Sequence, residues 1–524
     1  MRRSFNTTGP CNPSRHYMLP AEERLPDLLT YVEQELYFVI HAARQTGKTT
    51  AMIAFAKRLR SLGNAAVYVT IEASRVYPDV ARAEAIWVYT LFEAAREQLP
   101  PSQQPVRPTS GTYPEGSWLR AMLTQWSHAL GDVPLILLID EADVVTGDAM
   151  VNLLSQLRAG FSNRGAGQFP TSVALVGMRD LRDYLAQAKG GVPASPGSPF
   201  NVKKASLTLR NFTAEEVGRL YAQHTTETGQ AFTAEAVERA FYWTQGQPFL
   251  VNALADQCVG YARQLDDPRI EGTVTADHID AAKEKLILAR TTHLDSLGNK
   301  LREPRVAPIL QAVLLGDDDI DYDTDDFQYV VDLGLLMRVP RGGAEVSNPL
   351  YREVLVRQLS FNVQMNLPEP QWRWRTPEGG LDMPALMTEF QSWWAEHAEI
   401  LRSRAKPGYP EAVAQLAFMG FLQRVVNGGG RVTREYGAGR HRIDLLVEYG
   451  GFRYAIELKR VRPRDGADSV RAVGLKQLGG YLDTLGLTEG WLLIFDQRPR
   501  LGWKQRIWRE DAVVDGRSVH LVGA

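Results

Sequence analysis

A chain of 524 residues is too long for one ordinary core, so roughly two to four domains are expected. Hydrophobic residues make up 44% and charged residues 23%, as in ordinary soluble globular proteins, and no apolar run approaches the roughly 20 residues that span a bilayer. The net charge of −2 hides an asymmetry: residues 401–524 carry 21 Lys and Arg against 13 Asp and Glu, a net of +8, leaving −10 on the rest. A basic tail on an acidic body points to a polyanionic partner for the tail.

In chain order, Tyr37–Ile40 reads as a short buried strand that runs into HAARQTGKTT and then into AMIAFAKRLRSL, whose apolar residues recur at helical spacing. Ala65–Ile71 is a second strand and residues 84–99 a helix. The Pro-, Gly- and Ser-rich stretch 100–116 is a loop. A helix at 117–129 precedes Pro134–Ile139, a continuous apolar run typical of a strand covered on both faces. Another strand follows at Ser172–Val176. Strands alternating with helices predict a mainly parallel sheet.

From Asn211 the pattern changes. Thr213 and Thr233 each stand at an N-cap before acidic first turns, so residues up to about 290 read as all-helical. Residues 300–360 combine short helical patterns with LGLLMRV and AEVSNPL, a hairpin signal, and suggest a winged-helix-like domain. Four prolines in 363–384 indicate a linker, followed by a helical segment. Strands are then expected near Val432–Tyr436, Ile443–Tyr449 and Tyr454–Leu458, a helix at about 470–485 and a strand at Trp491–Phe495. The predicted domains are 1–210, 211–295, 296–362, a linker and helical segment at 363–395, and a compact α/β unit at 396–524.

The run Ala42-Ala-Arg44-Gln45-Thr46-Gly47-Lys48-Thr49, followed by Thr50, fits a phosphate-binding loop between strand and helix. Gly47 lets the backbone curl round an anion, and the helix N-terminus adds partial positive charge. Lys48 reaches the β- and γ-phosphates of ATP, and the Thr49 hydroxyl is placed for Mg2+. Ala42 stands where a first glycine is usual. The segment ILLIDEAD, 136–143, ends a buried strand on acids. Asp140 is placed to hold Mg2+ through water and Glu141 to polarise the attacking water.

With these motifs the chain resembles the bacterial AAA-like ATPases related to the AAA+ and STAND classes, over about residues 5–360. The resemblance also takes in FNTTGPCNPSRHYMLP, VALVGMRDLRDY, SPFNVKKASLTLRNFT and TQGQPFLVNALADQ. It implies a helical lid at 211–290, with Gln245-Gly-Gln-Pro248 opening a helix near the nucleotide. It places Arg179 at a sensor-like strand end near the γ-phosphate; the other reading is a surface charge paired with Asp180 or Asp183. Assembly with further copies of the chain is left open.

A second constellation is Arg442-Ile-Asp444 to Glu457-Leu-Lys459, two strands joined by a turn at Gly450-Gly451. Alternation puts Glu457 and Lys459 on one face and Ile456 and Leu458 on the other. The hairpin brings Asp444 towards Glu457. Two carboxylates at one point repel unless a cation sits between them, and Mg2+ prefers oxygen ligands. A lysine beside them completes what phosphodiester hydrolysis needs.

Over roughly 400–500 the sequence resembles the PD-(D/E)xK nuclease superfamily. Asp444, Glu457 and Lys459 match its core motif, Gln477 and Tyr481 its Q-x-x-x-Y, and Glu411 the acid from its first helix; Ile443 stands where the superfamily's name has proline. The resemblance implies a restriction-endonuclease-like α/β fold, with Asp444, Glu457 and Glu411 as metal ligands and Gln477 in the catalytic group. Arg431, Arg434, Arg440, Arg453, Arg460, Arg462 and Arg464 surround the motif and either contact phosphates or form a solvated face.

The overall expectation is a multidomain α/β protein: a P-loop NTPase parallel sheet with a helical lid and winged-helix-like domain, plus the nuclease-like domain. The expected function is nucleotide-controlled nucleic-acid cleavage. The alternative is a STAND-like regulatory ATPase whose nuclease fold only binds, in phage defence or a mobile element. Arg2 and Arg3 precede no apolar stretch, so no secretory signal is read, and a cytoplasmic protein without a membrane partner is expected. Cys11 and Cys258 read as small buried residues. Trp372, Trp374, Trp393 and Trp394 suggest interdomain packing ahead of base stacking, and His41 and His441 lack metal-ligand spacing.

Overall fold

The computed structural model describes residues 3–107, 113–161, 169–178, 203–259, 272–289, 297, 300, 301, 303–314, 320–339, 343–355, 374–404, 410–426, 430–438, 441–462, 465–496, 498 and 501–524. The chain divides into two compact units, residues 1–293 with 321–350, and 294–320 with 351–524. Among the described residues no helix is long and apolar enough to cross a membrane.

The first unit is built on five parallel strands: β1 (Tyr37–His41), β2 (Ala65–Thr70), β3 (Leu135–Asp140), β4 (Ser172–Gly177) and β5 (Lys203–Thr208), in the order β2-β3-β4-β1-β5. Every residue of β3 and β4 is buried, which is why their sequences read as unbroken apolar runs. Val39, Leu137 and Leu175 face the helices Val80–Gln98, Trp118–Leu130 and Gly147–Phe161. Ile40, Leu138 and Val176 face the helix Lys48–Ser61 through Met52, Phe55 and Leu59. Each such side chain contributes about 1.5–3 kcal/mol when fully buried. The carboxyl ends of β1, β3 and β4 therefore open at one edge, where ligands of α/β sheets bind.

Four helices follow, Ala214–Thr228, Ala234–Thr244, Pro248–Val259 and Ala276–Leu288. Thr213 and Glu216 form a reciprocal capping box, and Thr233 caps the second helix. The helix Asp325–Asp332 and the hairpin of β6 (Leu336–Arg338) and β7 (Ala344–Val346) also belong to this unit. The segment 296–362, expected as one winged-helix-like domain, is thus divided: the helix Ala307–Leu314 groups with the second unit.

The second unit holds a six-stranded mixed sheet: β8 (Gly430–Ala438), β9 (His441–Tyr449), β10 (Phe452–Val461), β11 (Glu489–Asp496), β12 (Trp508–Val514) and β13 (Arg517–Gly523), in the order β12-β13-β11-β10-β9-β8. The β9–β10 turn has Gly450 and Gly451 at φ 58° and 85°, the left-handed pair that glycine supplies without strain. The helix Ala467–Leu485 covers one face through Leu478 and Leu482. The other face is covered by the helices Met383–Arg404 and Pro410–Val426.

The expectation of interdomain packing for Trp374, Trp393 and Trp394 is corrected here. Met383, Leu386, Met387, Phe390, Trp393 and Trp394 repeat at helical spacing and are buried against Phe418, Phe421 and Phe495. Trp374, Trp393 and Trp394 are core residues of the second unit itself and not interdomain packing. Trp372 lies outside the described residues.

Candidate functional site

Ala42 to Thr49 leave β1 and turn into the helix Lys48–Ser61. Gln45 (φ 59°) and Gly47 (φ 89°) take left-handed backbone, curling the loop ahead of the helix N-terminus. Lys48 Nζ donates to the carbonyls of Ala42 at 2.7 Å and Ala43 at 3.0 Å, and Thr46 Oγ1 donates to Ala43 O at 2.9 Å. Burial lowers the Lys48 pKa, against the opposing pull of Asp140, Asp143 and Glu141. Arg44 and Gln45 have exposed side chains, and Thr50 Oγ1 accepts the Cys11 amide at 3.0 Å.

At the end of β3, Asp140 is 1% exposed. Its Oδ2 accepts the Thr49 hydroxyl at 2.8 Å and its Oδ1 the Glu141 amide at 2.9 Å. A hydroxyl and a carboxylate at hydrogen-bond distance are a donor set of hard oxygens that fits Mg2+. Glu141 takes left-handed backbone (φ 56°) and its carboxylate lies 3.7 Å from Arg75. Burial, then Asp143 and Asp140, raise its pKa, as suits a group that accepts a proton. Asp143 Oδ2 accepts the Met178 amide at 3.0 Å, tying this loop to the end of β4. Arg179 lies outside the described residues.

The turn between the helices Ala234–Thr244 and Pro248–Val259 reaches the same loop. Gln245 (φ 46°) and Gly246 (φ 70°) turn the chain so that Gln247 Nε2 donates to Gln45 O at 3.4 Å. Arg24, 6% exposed, donates to Thr46 O at 2.8 Å and Arg210 O at 3.1 Å and lies 4.8 Å from the centre of the Phe212 ring. Burial pushes this guanidinium down to about 10.

In the second unit, β9 and β10 pair from Phe452 opposite Tyr449 to Ile456 opposite Leu445. Beyond that point the Asp444 carboxylate takes the Leu458 amide at 2.8 Å. Glu457 is 2% exposed; its Oε1 accepts from Lys459 Nζ at 2.5 Å, while Oε2 is buried without a hydrogen-bond partner. Burial, then the Asp444 charge, raise the Glu457 pKa to about 7 against the pull of Lys459. Ile456, Leu458 and Leu445 point into the opposite core, so Glu457 and Lys459 look towards the helix Ala467–Leu485. On that helix Gln477 is exposed and Tyr481 buried.

Glu411 is on the helix Pro410–Val426, but its side chain is outside what is described, as are those of Arg431 and Arg434; Arg440 and Arg464 lie outside the described residues. Arg453 donates to Leu485 O at 3.0 Å. Among the described residues no group of three or more His, Cys, Asp and Glu side chains is arranged to hold a metal. Asp444 and Glu457 are two carboxylates, and Mg2+ usually keeps several waters beside one or two such ligands. The buried, unpartnered Glu457 Oε2 fits a cation.

Residues 32–185 match the family model of the AAA domain. Over this stretch the chain is similar to AAA domains, and it carries the parallel sheet and phosphate-binding loop of a P-loop ATPase fold. Similar solved structures include the Walker-type ATPase paby2304 of Pyrococcus abyssi, at 15% identity over 67% of this chain and 99% of that one with a TM-score of 0.48. The ORC2 protein of Aeropyrum pernix, in ADPNP–ADP complexes, matches at 13% identity over 65% and 92%, TM-score 0.39. The RuvB Holliday junction branch migration motor of Thermotoga maritima matches at 15% over 64% and 93%, TM-score 0.33. No curated protein matches the chain.

Several residues around the two sites carry no motif. Arg24 and Gln247 hold carbonyls of the P-loop of the ATPase domain from 22 and 202 residues away. Gly334, at φ 75°, packs so closely that a Cβ there would lie 2.3 Å from the Ala43 Cβ. Gly474 lets the helix Ala467–Leu485 approach Lys459. The one sequence signal for these glycines is the turn chemistry of Leu333-Gly334 and a glycine inside an otherwise helical pattern.

Proposed function

We propose that this protein is a Mg2+-dependent DNA endonuclease under nucleotide control. In this reading the ATPase domain binds and hydrolyses ATP, the second unit hydrolyses a phosphodiester, and the nucleotide state governs cleavage. The observation that carries the hydrolytic half is Glu457: a buried carboxylate whose Oε2 has no partner, beside Asp444 and Lys459 where β9 and β10 part. Leaving such an oxygen unsatisfied costs about 1–3 kcal/mol or more, and a divalent cation offsets both carboxylates at once.

When bound, Mg2+ supplies Lewis acidity and lowers the pKa of a coordinated water. Asp444 and Glu457 hold the ion, with Glu411 as a further carboxylate. Lys459 orients the water and meets negative charge on the phosphate, and Gln477 lines the approach from the neighbouring helix. Arg453 and Arg460, with the net +8 of residues 401–524, favour a polyanionic strand.

In the ATPase domain Lys48 meets the β- and γ-phosphates, Thr49 and Asp140 hold Mg2+, Glu141 orients the attacking water and Arg179 reads the γ-phosphate. The test is plasmid cleavage with Mg2+ by wild type, Lys459→Ala and Lys48→Ala. Loss of cleavage in Lys459→Ala and loss of its ATP dependence in Lys48→Ala are expected. Equal cleavage by all three removes both assignments.

A further inference from the structure

Tyr68 sits on β2, the edge strand of the ATPase sheet, opposite Leu138 of β3. Its side chain leans onto the face shared by Ile136, Leu138 and the helix Lys48–Ser61. Alternation puts Asp140 on that same face, two residues beyond Leu138. The phenol spans the diagonal between neighbouring strands and donates to Asp140 Oδ2 at 2.9 Å. That is the oxygen that also accepts the Thr49 hydroxyl. A phenol is protonated at neutral pH, so it is the donor in this contact.

The Tyr68 backbone is held by a separate device. An edge strand has free amide and carbonyl groups, and here the side-chain amide of Gln98 takes the place of a missing strand. Gln98 Oε1 accepts the Tyr68 N–H at 3.0 Å, and Gln98 Nε2 donates to the Tyr68 carbonyl at 2.7 Å. Arg60 fixes that amide in turn by donating to Gln98 Oε1 at 3.1 Å and to Ala66 O at 2.8 Å. The helix Val80–Gln98 therefore ends on a residue that pins Tyr68, and Tyr68 ends on Asp140.

We infer that Tyr68, pinned by Gln98, is a positioning residue that fixes the Asp140 carboxylate for the magnesium ion of the nucleotide. This rests on the reading of Thr49 and Asp140 as the magnesium residues. With Oδ2 engaged by two hydroxyls and Oδ1 by the Glu141 amide, the carboxylate is held in one orientation beside Thr49. The Thr49 hydroxyl donates a hydrogen bond to Asp140, which would leave its lone pairs for the ion. Without the phenol, Asp140 keeps the Thr49 and Glu141 contacts but loses the donor that fixes its rotation. Loss of such an outer partner typically weakens metal binding by about 10–100-fold.

The experiment follows binding of a fluorescent ATP analogue to the full chain as Mg2+ is titrated, with an EDTA baseline. Tyr68→Phe is expected to raise the Mg2+ concentration at half-effect by about tenfold or more and to leave the affinity in EDTA unchanged. Gln98→Ala, which frees the strand edge and leaves the phenol, is expected to shift it the same way by less. An unchanged Mg2+ midpoint in Tyr68→Phe, or an equal loss of affinity in EDTA, overturns the inference while the magnesium reading stands. A wild type whose nucleotide binding ignores Mg2+ takes down both.

Discussion

A methyl group on Gly474 would lie 3.1 Å from Cγ of Lys459, and 2.8 Å from Leu492 Cδ1. The stem of the lysine thus runs beneath a helix position that has no side chain to displace it. Alanine gains about 1 kcal/mol of helix propensity over glycine, but overpacking a filled core costs about 1–3 kcal/mol. Gly474→Ala is therefore expected to lower stability slightly and Gly474→Val clearly. In both, DNA cleavage is expected to fall further than the folded fraction does, because Lys459 is moved. Cleavage rate against thermal melting of the same samples is the check; cleavage that tracks folding alone contradicts it.

Magnesium itself is expected to stabilise the second unit. Binding adds about 2.7 kcal/mol at a hundred times the dissociation constant. The melting transition that reports this unit is expected to rise with Mg2+ over EDTA in wild type, and not in Asp444→Asn. The readout is calorimetry without nucleotide, so that the ATPase domain contributes no Mg2+–nucleotide effect. A rise of equal size in Asp444→Asn counts against these carboxylates.

The strand-borne parts of both sites were legible because strands have a period of two. Asp444, Glu457 and Lys459 could be put on one face, and Ile456 and Leu458 in the core, by parity alone. The P-loop and the run ending at Asp140 were legible because each is contiguous. Arg24, Tyr68, Gln98, Gln247, Gly334 and Gly474 were not. Each acts through a contact with a distant part of the chain, and neither spacing nor composition marks it. The helix Met383–Arg404 was legible from its apolar stripe, but composition did not show that its tryptophans fill the core of their own unit.

Acid is expected to weaken the first unit through Glu216. Hydrogen bonds from Arg210 at 2.6 and 2.8 Å, and the Thr213 amide, hold this carboxyl at about 2, below its ordinary 4.5. A lowered folded-state pKa gives stability that is present above the unfolded value and lost as pH falls towards the folded one. Arg210 is partly open to solvent, which screens the pair. The expected cost of Glu216→Gln near neutral pH is about 1 kcal/mol. That gap is expected to close as pH is lowered from 4.5 towards 2. Chemical denaturation of both proteins across this window is the measurement, and a constant gap contradicts the assignment.

Trp394 is fully buried between Phe390 and Phe495. If it serves the core, Trp394→Ala removes about 3–5 kcal/mol, and Trp394→Phe recovers much of that with DNA affinity intact. If it stacked on bases, both variants would bind DNA less well while folding normally. Equilibrium unfolding and a DNA-binding titration on the same two variants separate these outcomes, and the first is expected.

Gly334 gives the sharpest test of how the hairpin segment bears on the ATPase site. Its φ of 75° is left-handed, which costs an ordinary residue about 1–2 kcal/mol. An added Cβ would also sit 2.3 Å from the Cβ of Ala43, whose carbonyl accepts from Lys48 and Thr46. Gly334→Ala must therefore either shift the segment 321–350 or push on the P-loop. Since each 1.4 kcal/mol is a factor of ten, a strain of this size is expected to weaken ATP binding by about tenfold if the loop yields. If the segment yields, ATP affinity is kept and the helix Asp325–Asp332 loses hydrogen-exchange protection. Nucleotide titration together with exchange on that helix distinguishes the two, and a variant unchanged in both would show that this contact does not bear on the phosphate-binding loop.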